Sequence, residues 1–122
     1  MALQPPFDRQ LRAFRLFAGV DDELLSDLAE RTHTRALRAR EQLWRAGDTP
    51  VYFTLIQSGL VKLVQHVPDG AEAILALFGP RESVGDAAVL APMPYLADAV
   101  VTSDTCVVLR VESAPVLAAM LH

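Results

Sequence analysis

From about Thr34 onward, apolar residues recur in short runs with a period near two, and turn residues cut those runs at close intervals. That rhythm restricts the fold more than any single residue does, because side chains alternate between the faces of a strand whereas a helix repeats every 3.6 residues. VYFTLIQ (51–57) and LVKLVQHV (60–67) flank Ser58-Gly59, a two-residue hairpin signal. In the second run Val61, Leu63 and Val67 are expected on one face, with Lys62 and His66 on the other. Val67-Pro68-Asp69-Gly70 reads as a turn in which Pro68 presets φ and Gly70 accepts the left-handed conformation. AEAILALF (71–78) returns as a strand, and residues 97–102 and 105–111 supply two more, parted by Ser103-Asp104. Ala46-Gly47-Asp48-Thr49-Pro50 is a loop. Many short strands between such turns predict a mainly β fold, an antiparallel barrel or jelly roll.

The first third has a helical pattern instead. Leu11, Phe14, Leu16 and Phe17 cluster at near-helical spacing after Pro5-Pro6, and Gly19 interrupts them. Asp21-Asp22-Glu23 then places acids at the positive end of a second helix whose buried stripe is Leu24, Leu25 and Leu28. Residues 113–122 read as a short helix capped by Ser113, with Pro115 tolerated in its first turn and Val116, Leu117, Met120 and Leu121 as an apolar stripe.

At 122 residues, 52% hydrophobic and 21% charged, the chain is expected to be one globular domain, residues 1–122. A net charge of −4 argues against a free-standing nucleic-acid binder. The densest basic run, RTHTRALRAREQLWR (31–45), reads as solvated surface. Cys106 is the sole cysteine, so no internal disulfide forms, and its strand-like setting suits a small apolar packing role. No apolar run approaches the roughly 18 residues needed to span a bilayer. The N-terminus MALQPPFDRQ lacks the pattern of a signal peptide, and a reducing cytoplasm is the expected compartment, with no membrane partner.

The stretch FGPRESVGDAAVLAPMPYLADAVVTSDTCVVLRV (78–111) resembles the phosphate-binding cassette of the cyclic-nucleotide-binding domain, as found in CRP/FNR-type bacterial transcriptional regulators. SGLVKLVQHVPDGAEAILALFGP, the RAGDTP loop and the helix-then-eight-strands layout extend the resemblance over residues 14–121. It implies a double-stranded β-roll with N-terminal helices and a short C-terminal helix. In that family a Gly-Glu pair opens the cassette and an Arg-Ser/Thr pair follows ten residues after the Glu. Here Gly85-Asp86 stands at the opening and Leu96-Ala97 where the Arg and the hydroxyl residue are expected.

The resemblance implies that Gly85 supplies the turn, that Ala87 and Ala88 present backbone N–H groups, and that Asp86 keeps a ribose acceptor one methylene short. Asp86 reads equally well as a loop cap. Leu96 brings no charge and Ala97 no hydroxyl. Each lost charged hydrogen bond is worth about 1.5–3 kcal/mol, so the two together weaken cyclic-nucleotide affinity by roughly two to four decades. Arg81, just before the cassette, is the first candidate for a compensating cation, with Arg110 and Lys62 behind it; a solvated surface role is the simpler reading of each.

PYLA (94–97) leans toward the FNR-like branch, where the signal is not a cyclic nucleotide. An N-terminal iron–sulfur cluster is excluded by the lack of cysteine before residue 106. Haem stays open, with His33, His66, His122, Met93, Met120 and Cys106 as the available ligands. The three histidines lack cupin-type spacing and no nucleophile elbow or Walker loop is present, so no enzyme is expected and no metal site is assigned.

The expectation is therefore an effector-sensing domain of a CRP/FNR-type regulator. A small-molecule effector near residues 84–97 would shift the 60–75 hairpin and the C-terminal helix. DNA would be reached only through a dimerisation helix and helix-turn-helix beyond these residues, with a homodimer in the full-length regulator. The alternatives are a protein-interaction module without a small ligand and a haem-based gas sensor.

Overall fold

A computed structural model describes residues 7–91 and 93–120. Helix α1 (Phe7–Arg12) and a 3-10 turn (Arg15–Phe17) precede α2 (Asp22–Glu30). The cluster from Leu11 to Phe17 is thus not one helix: Phe14 takes an extended conformation, and this lets Leu11, Phe14 and Phe17 all point into the same core. Asp21 caps α2 by accepting from the Leu24 N–H at 2.8 Å. Leu25 and Leu28 are buried as the periodicity requires, and Leu24 packs partly against the core.

Eight strands follow: β1 (Thr32–Arg38), β2 (Gln42–Trp44), β3 (Tyr52–Ser58), β4 (Val61–His66), β5 (Glu72–Phe78), β6 (Ser83–Val84), β7 (Asp98–Val101) and β8 (Thr105–Glu112). They form two four-stranded antiparallel sheets, ordered β1-β8-β3-β6 and β2-β7-β4-β5. A short helix α3 (Asp86–Leu90) lies between β6 and β7, and α4 (Ser113–Met120) follows β8. The fold is mainly β, as the strand rhythm predicts, and is the roll with flanking helices that the family resemblance implies.

Two local readings change. Ser58-Gly59 is not a hairpin turn, because β3 pairs with β8 and β6 while β4 pairs with β5 and β7. It is the corner where the chain leaves one sheet for the other. Gly59 is required there: its φ is +91°, and a Cβ would collide with the Thr105 carbonyl and stand 2.7 Å from Cys106 Cα. In β4 a register shift between Leu63 and Val64 breaks simple alternation, so Val61 and Val64 are buried while Val67, beyond the strand, is exposed. The Val67–Gly70 turn forms as expected, with the Gly70 N–H donating to Val67 O at 2.9 Å.

The β1-β8-β3-β6 sheet buries both faces. Its outer face sends Phe53, Leu55, Leu109 and Val111 against Leu11, Phe14, Phe17, Leu25 and Leu28 of the helices. Its inner face packs Ile56, Val84, Cys106 and Val108 against Val61, Ala99 and Val101 of the other sheet. Ser113 is the first residue of α4 rather than its cap: its N–H and hydroxyl both bond the Val51 carbonyl, each at 3.1 Å, and so tie the helix to the start of β3. Val116 packs on the helix-side core, whereas Leu121 and the side chain of Met120 lie outside the described residues. No helix is long and apolar enough to cross a membrane.

Candidate ligand-binding site

The cassette opens where β6 ends. Gly85 adopts φ +77°, a left-handed turn that aims the next residues into α3. Asp86 begins that helix and accepts from the Ser83 hydroxyl at 2.5 Å. Its Oδ1 is buried without a hydrogen-bond partner among the described residues. Desolvation raises the Asp86 pKa, and the Ser83 bond only partly offsets it. The Asp86 carboxylate accepts from a side-chain hydroxyl and from no backbone N–H among the described residues, so it is not the loop cap of the sequence reading, and it keeps one oxygen without a partner there. Ala87 is exposed and Ala88 packs on the inter-sheet core, both in the first turn of α3, where helical N–H groups have no intrahelical acceptor.

The other limb of the cassette is Leu96-Ala97. Leu96 is 71% exposed and its carbonyl accepts from Gln65 Nε2 at 3.2 Å. Ala97 is buried and its carbonyl accepts from Trp44 Nε1 at 3.0 Å. Asp98, next in line and buried, accepts from the Ala46 N–H at 2.7 Å and from His66 Nε2 at 3.1 Å. These bonds lock β7 to the end of β2 and to β4.

Between the two limbs stands an aromatic pair. Trp44 and Tyr95 stack with ring centroids 3.9 Å apart and planes within 6°. A Cβ on Gly85 would lie 2.8 Å from the indole and 3.0 Å from the Tyr95 ring. The indole thus reaches from Gly85 on one side to the Ala97 carbonyl on the other. Tyr95 is held by its own backbone, which bonds Asp48 O at 3.0 Å and the Gly47 N–H at 2.8 Å. Burial pushes the Tyr95 phenol up to about 12, against a lowering by nearby Arg110. Trp44, Tyr95 and Asp98 carry this geometry; the sequence reading reached Tyr95 only as part of PYLA and singled out neither Trp44 nor Asp98. The one available signal was that Trp44 is the sole tryptophan, placed just before the Gly47 loop.

Arg81 lies in the turn before β6, exposed and left-handed at φ +73°, with its N–H bonded to Ile56 O. Lys62 pairs with Glu72 at 3.2 Å. Arg110, half-buried, stacks its guanidinium 4.1 Å from the Tyr52 ring centroid and lines a cavity of about 130 Å³ shared with Trp44, Tyr95 and Asp48. Arg81 does not line that cavity.

His33 is not a helix-end residue: α2 stops at Glu30, and His33 is an exposed position of β1 opposite Arg110. The haem-ligand candidates do not converge. Cys106 is buried in the inter-sheet core, four rungs along β8 from the residue facing His33, roughly 13 Å at strand spacing. His66 is on the opposite sheet and bonded to Asp98, Met93 is on the surface after α3, and His122 lies outside the described residues. No two of the described candidates share a site. Among the described residues no group of three or more His, Cys, Asp or Glu is placed to hold a metal ion.

The family model for the cyclic nucleotide-binding domain matches residues 34–122. This chain belongs to the cyclic nucleotide-binding domain family. No curated protein matches it. Among solved structures, the domain is similar to the transcriptional regulator DNR from Pseudomonas aeruginosa at TM-score 0.88 and 22% identity, covering 99% of this chain and 53% of that one. It is similar to the N-terminal domain of a transcriptional regulator from Streptomyces coelicolor at TM-score 0.72 and 28% identity, covering 84% and 71%. It is also similar to the regulatory subunit of a cAMP-independent protein kinase A from Trypanosoma brucei at TM-score 0.78 and 20% identity, covering 94% and 44%. The domain spans about half the length of the first solved structures it matches. The CRP/FNR resemblance read from the cassette agrees with the family match and with the regulators among these neighbours.

Proposed function

We propose that this domain is the effector-sensing part of a CRP/FNR-type transcriptional regulator in the cytoplasm, not an enzyme, and that it does not respond to cyclic AMP in the usual pose. The observation that carries the second half is the position of Trp44. In the family's arrangement the nucleotide would touch both Gly85-Asp86 and the Leu96-Ala97 limb, and the indole already spans that interval. The chemistry agrees with the sterics: Leu96 turns to solvent and Ala97 offers only a methyl group. A cyclic phosphate seated there would be desolvated without a counter-charge, a loss of several kcal/mol. Gly85, Asp86, Ala87 and Ala88 remain as the scaffold of the cassette.

The regulatory half rests on the family match and on the surface of the β4–β5 hairpin. β5 is an edge strand on which Ile74, Leu75 and Leu77 are each more than half exposed. Such a strand calls for a neighbour, and in a regulator that neighbour would be the segment connecting to a DNA-binding domain. The effector's signal would then be a population shift in how this hairpin and α4 are held.

Thermal unfolding tests the reading. Cyclic AMP or cyclic GMP at about 1 mM leaves the midpoint unchanged. A ligand binding with a 10 μM dissociation constant would add roughly 2.7 kcal/mol and raise the midpoint on the order of 10 °C, and that rise would overturn it.

A further inference from the structure

The Trp44–Tyr95 pair borders more than the cassette. Besides meeting Gly85, both residues line the cavity of about 130 Å³ that Arg110, Thr54 and Tyr52 share. An apolar cavity of comparable size, about 150 Å³, accepts benzene, so this one has room for five or six heavy atoms. Its chemistry is polar. Thr54 and Tyr52 present hydroxyls, and no carboxylate lies within ion-pair distance of Arg110 among the described residues. A half-buried guanidinium held over a tyrosine ring, with Asp48 in the same lining but not at ion-pair distance, is free to receive an anion.

Outside it, Leu43, Trp44 and Asp48 are also walls of a wider, more open pocket of about 610 Å³ that collects Arg35, Arg40 and Arg45. None of these three arginines forms an ion pair among the described residues, although the chain carries 15 acidic residues. The arginine-rich run that reads as plain surface in the sequence therefore curves, through β1 and β2, around one opening. Arg40 keeps this bend with φ +72°, its N–H bonded to Val101 O at 2.8 Å. Asp48 is the acid of the wall, and its Oδ2 accepts from the Arg45 N–H at 3.0 Å. A ligand here needs oxyanions for four arginines and a donor where it passes Asp48.

We propose that this double pocket binds a small hydroxylated polyanion, a hydroxy-polycarboxylate or a phosphorylated polyol, with one oxyanion on Arg110, its remaining charge toward Arg35, Arg40 and Arg45, and a hydroxyl donated to Asp48. The inference stands apart from the regulator reading, because neither pocket is lined by Gly85, Asp86, Ala87, Ala88, Leu96 or Ala97. If both hold, Trp44 is the wall through which occupancy of this pocket reaches Gly85.

Trp44 is the sole tryptophan of the chain, so its emission reports on the pocket directly. Citrate and glucose 6-phosphate, titrated separately at constant ionic strength, distinguish the carboxylate and phosphate classes. At least one gives a saturable change in emission with a dissociation constant below 1 mM. The double substitution Arg35→Gln/Arg40→Gln, on exposed or half-exposed positions, weakens it at least about tenfold, as does Arg110→Gln where that variant stays folded. Arg81→Gln leaves it unchanged. No saturable response to either compound overturns the proposal, and so does a response that survives Arg35→Gln/Arg40→Gln. A cyclic-nucleotide response would overturn the earlier reading and leave this one standing.

Discussion

The two cores of this domain differ in how they are finished. The helix-side core closes with hydrocarbon alone: Phe17 meets Phe53 edge-on at 6.3 Å, surrounded by Leu11, Leu25, Leu28, Leu55 and Leu109. The inter-sheet core ends instead in Trp44, whose indole N–H meets a carbonyl, and Tyr95, which lines a cavity, and Asp86 has an oxygen with no partner among the described residues. The first arrangement maximises burial and nothing else. The second tolerates an unsatisfied acceptor, which lowers stability, and a guanidinium held by an aromatic face rather than by an acid. Groups that cost stability often mark a part of a fold kept for binding, in line with the pocket proposed at the end of the inter-sheet core.

The largest expected effect lies in the helix-side core. Phe53→Ala removes a fully buried ring and costs about 3–5 kcal/mol, read by urea denaturation. The folded fraction keeps its Trp44 emission, because the ring belongs to the other core. A shift in emission would merge the two cores into one.

Gly85→Ala comes next. It forces a Cβ to within 2.8 Å of the indole at a left-handed φ, an overpacking cost of about 1–3 kcal/mol plus backbone strain. Adding Trp44→Ala relieves the clash but not the φ. The double variant therefore loses about 1 kcal/mol or more less than the sum of the single ones. Strict additivity would mean that the indole does not press on the cassette.

The titrations are subtler. Tyr95 is held near 12, above its ordinary 10.0. The folded state thus resists ionisation, and the stability this group contributes is present below pH 10 and lost as pH rises through 12. Tyr95→Phe removes that alkaline slope. Asp86 has a raised pKa, so its contribution is present below the ordinary value of 3.8 and lost as pH rises through the folded value. Asp86→Asn should flatten this acid-side dependence, the smallest effect of the set, followed by melting curves from pH 3 to 7. A pH dependence that survives the substitution would place the titrating group elsewhere.

Much of the roll was legible because local rules govern it. The Val67–Gly70 turn, the strand over residues 105–111 and the acids opening α2 each follow from a few adjacent residues. Pairing was not legible: Ser58-Gly59 has the composition of a hairpin turn, and only the distant β8 and β7 decide that it is a corner. The candidate site divides in the same way. Gly85, Asp86, Leu96 and Ala97 stand out by their spacing, so the sequence could show that the cassette lacks its cation and hydroxyl. It could not show what fills the space, because Trp44 reaches Ala97 across 53 positions through the β2–β7 pairing. Arg110 was noticed, but its stacking on Tyr52 depends on the β3–β8 register.

The most direct test of the central claim, that Trp44 occupies the nucleotide's place, restores the missing chemistry with and without the indole. Calorimetric titration of cyclic AMP into Leu96→Arg/Ala97→Ser should show no binding, and the same titration with Trp44→Val added should show a measurable dissociation constant. Equal binding by both variants would contradict the account, leaving the absent arginine and hydroxyl as the whole reason for the silence of the cassette.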